Sequence, residues 1–85
     1  MIQMVIEMIN AYVDVLTLIT SEGVKIPRQI IWEDGRVFKI DSYKQCGMVL
    51  SLGGKCGILY KVRIRGKDKK LYYDPNTNKW FIDIG

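Results

Sequence analysis

The stretch ILYKVRIRGKDKKLYYDPNTNKWFIDI, residues 58–84, decides the fold. From Tyr60 to Arg65 the side chains alternate strictly, with Tyr60, Val62 and Ile64 on one side and Lys61, Arg63 and Arg65 on the other. A period of two that includes β-branched residues is the signature of a half-buried strand. Gly66-Lys67-Asp68-Lys69 reads as a turn, after which KLYYD resumes the alternation with Leu71 and Tyr73 facing inward. Pro75-Asn76-Thr77-Asn78 is a second turn, with proline presetting φ and asparagine tolerating left-handed geometry. Lys79 to Ile84 (KWFIDI) then closes a three-strand meander.

Four residues in each loop fix the expected register. Arg65 faces Lys70, Ile64 faces Leu71 and Val62 faces Tyr73; next, Asp74 faces Lys79, Tyr73 faces Trp80 and Leu71 faces Ile82. Each inward apolar residue meets another, and a slip of one residue would turn every side chain to the wrong face. On the outward face this register puts Arg63, Tyr72 and Phe81 in one cross-strand row. Flanking rows hold Lys61 with Asp74 and Lys79, and Arg65 with Lys70 and Asp83.

Upstream, IPRQIIWEDGRVFKID carries Asp34-Gly35 between two apolar runs, a strong hairpin signal. A three-residue loop, Glu33-Asp34-Gly35 with the glycine left-handed, faces Ile30 with Phe38 and keeps Trp32 and Ile40 on one side. Ala11 to Thr20 (AYVDVLTLIT) is rich in β-branched residues, and Ser21-Glu22-Gly23 is a turn into the next strand. Between Ser42 and Gly57 the pattern fails: four glycines and no sustained period read as a long loop, with one short helical or strand-like turn around Met48 to Leu52.

The sequence thus predicts an all-β fold, a small antiparallel barrel or half-barrel of five to six strands. An open sheet of this size would leave one aromatic face uncovered. The expected core is Leu16, Leu18, Ile30, Trp32, Phe38, Ile40, Tyr60, Val62, Ile64, Leu71, Tyr73, Trp80 and Ile82. Eighty-five residues accommodate one domain, here residues 11–85, preceded by an N-terminal extension over residues 1–10. Residues 1–9 hold Met1, Ile2, Met4, Val5, Ile6, Met8 and Ile9, more apolar surface than one small core absorbs. That points to a homodimer through residues 1–19, or to Met8 as the natural start with the leading residues an extension.

The net charge of +4 is unevenly placed. From Lys55 to Lys70 seven cations stand against Asp68 alone, giving +6, and the remainder of the chain carries −2. This local basic segment suits phosphate or an acidic protein, and equally suits lysines guarding an exposed strand edge. Cations beside exposed aromatic rings suit single-stranded nucleic acid, because bases stack on rings while the backbone meets the charge. The candidate ligand-binding residues are Lys61, Arg63, Arg65, Lys70, Tyr72 and Phe81. The same row is open to a reading as an internal cation–π contact or a covered surface, and Asp74 and Asp83 place negative charge within it.

Catalysis and metal binding are not expected. The chain has no histidine and two cysteines, Cys46 and Cys56, without the paired spacing of a zinc site. Cys46 has no histidine to activate it, and Glu33-Asp34 at a hairpin tip is solvated. Gly53-Gly54 near Lys55 lacks the full spacing of a phosphate loop and its strand–helix context. No cofactor is implied. No stretch reaches the ~18 apolar residues of a membrane span. MIQMVIEMIN lacks the basic start of a signal peptide, so a cytoplasmic location with reduced thiols is expected. The function expected is a non-catalytic binding module with nucleic acid the favoured ligand; the alternative is a protein-interaction or self-assembling module whose basic strand only solubilises it.

From Val13 to Asp83 the chain resembles a group of short uncharacterised proteins of Gram-positive bacteria. The blocks that carry the resemblance are WEDGR-F-ID (residues 32–41) and RIRGK-LY-D-KWF (residues 63–81). It implies a cytoplasmic β-rich protein and no active site to carry over. Residues 1–10 fall outside it, and the Cys46–Cys56 stretch departs from the more basic loop of that group.

Overall fold

A computed structural model describes residues 10–51 and 54–83. Every regular element is a strand: β1 (Asn10–Ile19), β2 (Lys25–Ile31), β3 (Val37–Lys39), β4 (Ser42–Leu50), β5 (Cys56–Ile64), β6 (Lys67–Asp74) and β7 (Lys79–Asp83). They form one antiparallel sheet in the order β3-β2-β1-β7-β6-β5-β4. Among the described residues there is no helix long and apolar enough to cross a membrane.

The sheet curls into a half-barrel because β1 changes partner along its length. Asn10 to Val13 pair with β7, whereas Asp14 to Ile19 pair with β2. A register shift between Leu16 and Thr17 adds local twist. Across the open side, the link between β3 and β4 joins the two halves. The Ile40 N–H donates to the Arg28 carbonyl at 2.9 Å, and the next N–H, of Asp41, donates to the Arg63 carbonyl at 2.8 Å.

The β2–β3 hairpin has the expected register, with Ile30 opposite Phe38. Its turn is closed by the Gly35 N–H donating to the Trp32 carbonyl, with Gly35 at φ 90°. The β6–β7 hairpin also matches, pairing Asp74 with Lys79, Tyr73 with Trp80 and Leu71 with Ile82. There the Asn76 N–H donates to the Asp74 side chain and the Tyr73 hydroxyl donates to Asn78 Oδ1, pinning the four-residue loop.

Three expectations need correction. Residues 42–50 are not loop but the edge strand β4, giving seven strands rather than five or six. All but Val49 of its residues are exposed, so no burial period exists to be read; the backbone ladder to β5 holds it. Gly47, at φ 86°, follows the extra residue Cys46 in a bulge. Second, Leu16 and Leu18 are 55% and 47% exposed, and the inward positions of β1 are Val13 and Val15. Asp14 shares the parity of the two leucines, so turning them inward would bury its carboxylate. Third, β5 and β6 pair four residues out of the expected register. Ile64 faces Lys67 and Tyr60 faces Leu71 across a two-residue turn, Arg65-Gly66. Both turn residues are left-handed (φ 51° and 77°), the geometry that matches strand twist in tight hairpins. A shift by an even number preserves faces and changes partners.

The principal core fills the concave side: Val13, Ile30, Ile40, Tyr60, Val62, Ile64, Leu71, Tyr73, Trp80 and Ile82, with Trp32 and Phe38 half-buried against it. Residues 1–9, which hold the expected N-terminal extension and the first part of the dimer contact expected over residues 1–19, lie outside the described residues.

Candidate nucleic-acid interface

The shifted β5–β6 register dissolves the expected row of Arg63, Tyr72 and Phe81. Tyr72 faces Leu59 on one side and Phe81 on the other, while Arg63 faces Asp68 two rows away. Tyr72 and Phe81 stack with ring centroids 4.9 Å apart and are 2% and 0% exposed. Leu59 and Val49 cover them, and the Tyr12 ring meets Phe81 edge-on. Gly57 is what permits this closeness, since a Cβ there would stand 3.0 Å from the Tyr72 Cβ and 3.2 Å from the Phe81 ring. These two aromatics form a second, outward-facing core, and no base can stack on them.

Cations close over that small core. Lys55 Nζ lies 4.1 Å from the Tyr12 ring centroid and 5.5 Å from that of Phe81, with Lys79 Nζ 5.3 Å from Tyr12. The Tyr72 hydroxyl donates to Asp83 Oδ2 at 2.6 Å. Burial, reinforced by that carboxylate, holds the Tyr72 phenol far above its ordinary range. Asp83 Oδ1 is buried without a hydrogen-bond partner among the described residues.

Of the remaining predicted residues, Lys61, Arg63 and Lys70 lie on the exposed part of the same face. Lys44 of β4, Lys61 of β5 and Lys70 of β6 stand directly opposite one another in a single cross-strand row. Beside it runs the row Ser42, Arg63 and Asp68, in which Arg63 Nη1 meets Asp68 Oδ1 at 2.9 Å. A groove of about 430 Å³ separates the two rows. Two positions along a strand span about 6.6–6.8 Å, and three strands about 10 Å. Lys44 was not legible as part of this row, because its strand had no readable period.

Like charges placed directly opposite across strands destabilise a sheet. Edge protection explains Lys44 on the outermost strand, but β5 and β6 are interior to the sheet, so neither Lys61 nor Lys70 guards an edge. Among the described residues, ion pairs within 4 Å occur only at Arg36–Asp34 and Arg63–Asp68, leaving all three lysines unneutralised.

Arg65 leaves this face altogether. It sits at the hairpin tip, its N–H donating to Asp41 Oδ2 at 3.2 Å and its guanidinium 5.2 Å from the Phe38 ring centroid. Cys46 and Cys56 are free and exposed, and among the described residues no cluster of three metal-ligating side chains occurs. Comparison with known proteins yields no match to a family model, to a curated protein or to a solved structure.

Proposed function

We propose that the protein is a non-catalytic module that binds single-stranded nucleic acid through the groove of β4, β5 and β6. The observation that carries this reading is the row Lys44–Lys61–Lys70 on mostly interior strands, a like-charge arrangement that costs stability until an anion relieves it. Phosphates of an extended backbone lying across the three strands would meet all three ammonium groups, with Arg63 on the opposite wall. A groove about 7 Å wide by strand geometry suits one backbone rather than a duplex. Because Tyr72 and Phe81 are buried, this surface supplies charge without base stacking, so it selects for a polyanion and not for sequence.

The test is a gel-shift titration of a labelled single-stranded oligonucleotide against the wild type and the Lys61→Ala/Arg63→Ala double variant. Both side chains are exposed, so the variant stays folded while affinity falls severalfold or more. Unchanged affinity would overturn the reading.

One observation favours self-assembly as a second reading. Leu16 and Leu18 are 55% and 47% exposed on the outer side of β1, and Ile19 at its end is 61% exposed. Large apolar side chains left exposed on one short strand suit an interaction surface. Light scattering that finds a dimer in the wild type and a monomer in Leu16→Lys/Leu18→Lys would support it; a monomer in both would remove it.

A further inference from the structure

A second cationic site lies on the other side of the sheet, at the mouth of the half-barrel, and of its lining only Lys69 also borders the outer groove. The mouth is a cavity of about 350 Å³, at the small end of the ~300–1,000 Å³ typical of small-molecule sites. Buried Ile30, Ile64 and Ile82 floor it, and the half-buried rings of Trp32 and Phe38 form its aromatic wall. The shifted hairpin register places Lys67 opposite Ile64 and Lys69 opposite Val62, which turns both lysines to the concave side. Arg36 and Arg65 complete the rim, their guanidinium carbons 5.7 and 5.2 Å from the Phe38 ring centroid.

The charges of this rim are mostly uncommitted. Arg36 is paired with Asp34 at 2.7 Å, but among the described residues no carboxylate lies within ion-pair distance of Arg65, Lys67 or Lys69. Asp83 is the acidic residue bordering the mouth, and its Oδ2 already accepts from the Tyr72 hydroxyl.

Arg65 adds an independent observation. It occupies the first left-handed position of a two-residue turn, at φ 51°, where asparagine, aspartate or glycine is the ordinary choice. An arginine there is held in a conformation that L-residues avoid, and it delivers its guanidinium over the Phe38 ring. Strain kept at a residue that borders a cavity is a pointer to function.

We infer that the mouth binds a nucleoside monophosphate or an equivalent terminal nucleotide, with the base against Trp32 and the guanidinium-covered Phe38, and the phosphate on Arg65, Lys67 and Lys69. Planar rings stack on both aromatic side chains and guanidinium planes, and unpaired cations supply the complement to a dianionic phosphate. This reading extends the function proposed above without depending on it, since the outer groove shares no stacking ring with the mouth.

The experiment is calorimetric titration of the full chain with adenosine monophosphate, adenosine and inorganic phosphate, repeated on Arg65→Asn, Arg65→Lys and Lys61→Ala. The monophosphate binds the wild type at least tenfold more tightly than either adenosine or phosphate alone. Arg65→Asn melts at or above the wild-type temperature, because asparagine tolerates the left-handed position, yet binds at least tenfold more weakly. Arg65→Lys loses part of the affinity, and Lys61→Ala, on the outer face, binds as the wild type does. Equal affinity in Arg65→Asn, or equal affinity for phosphate and monophosphate, would overturn the inference. Weakened oligonucleotide binding in Lys61→Ala with monophosphate binding intact separates this site from the outer groove.

Discussion

Replacing Lys61 with glutamine should make the protein more stable and a worse ligand-binder at once. Lys61 stands between Lys44 and Lys70, so the substitution removes both like-charge contacts of the row while keeping a side chain of similar length. Each contact costs a few tenths of a kcal/mol at an exposed site, so the expected gain is about 0.5 kcal/mol. For a chain of this size that raises the melting temperature by roughly 2–4 °C. The gain is electrostatic and must therefore depend on screening. It is present at about 0.01 M salt, where the Debye length is ~30 Å, and nearly gone at about 1 M, where it is ~3 Å. Binding moves the other way: one fewer phosphate contact weakens a single-stranded complex about fourfold at ~0.15 M salt through lost counterion release. Thermal melts by circular dichroism at the two salt levels, with an anisotropy titration, measure both. If Lys61→Gln melts at or below the wild type in low salt, the row is not strained and the argument built on it fails.

Two further outcomes follow from the outward aromatic cluster. Gly57→Ala drives a Cβ to 3.0 Å from the Tyr72 Cβ, on strands that cannot easily separate, and should cost ~1–3 kcal/mol in a denaturant melt; an unchanged midpoint would show that the cluster is loose. Tyr72→Phe removes the hydrogen bond to Asp83, whose other oxygen has no partner among the described residues, and should cost ~1–3 kcal/mol near neutral pH. The folded Tyr72 phenol titrates above its ordinary value of 10.0, so folding favours its protonated form. That contribution is fully present below pH 10 and is lost as the pH rises toward the folded value, so wild-type stability should fall above pH 10 and Tyr72→Phe should fall less steeply. Parallel alkaline curves would contradict the assignment.

Where turn chemistry and hydrophobic period agree, the fold is legible in the sequence. Asp34-Gly35 and Pro75-Asn76-Thr77-Asn78 specify their hairpins because each supplies the backbone geometry its loop demands, and the observed registers match. Arg65-Gly66 does not announce a tight turn, since arginine is unusual at a left-handed position, and Asp68 made the following residues a more plausible loop. That one ambiguity moved every β5–β6 partner by four residues. It turned an expected ligand surface of Arg63, Tyr72 and Phe81 into a buried aromatic pair beside a separate basic row. β4 was illegible for another reason: a strand exposed on both faces carries no burial pattern, so neither Lys44 nor the row it completes is visible before the ladder is known. On β1, apolar residues of both parities left the inward face to be settled by Asp14, which belongs outside with Leu16 and Leu18.

The most direct measurement of the central claim is the salt dependence of single-stranded oligonucleotide binding, followed by fluorescence anisotropy. Four contacts, from Lys44, Lys61, Arg63 and Lys70, at about −0.7 each predict that log K falls with log salt at a slope of roughly −2.8. Removing Lys61 and Lys70 together should bring the slope to roughly −1.4. Absence of binding at low salt, or a slope that the double variant leaves unchanged, would contradict the account.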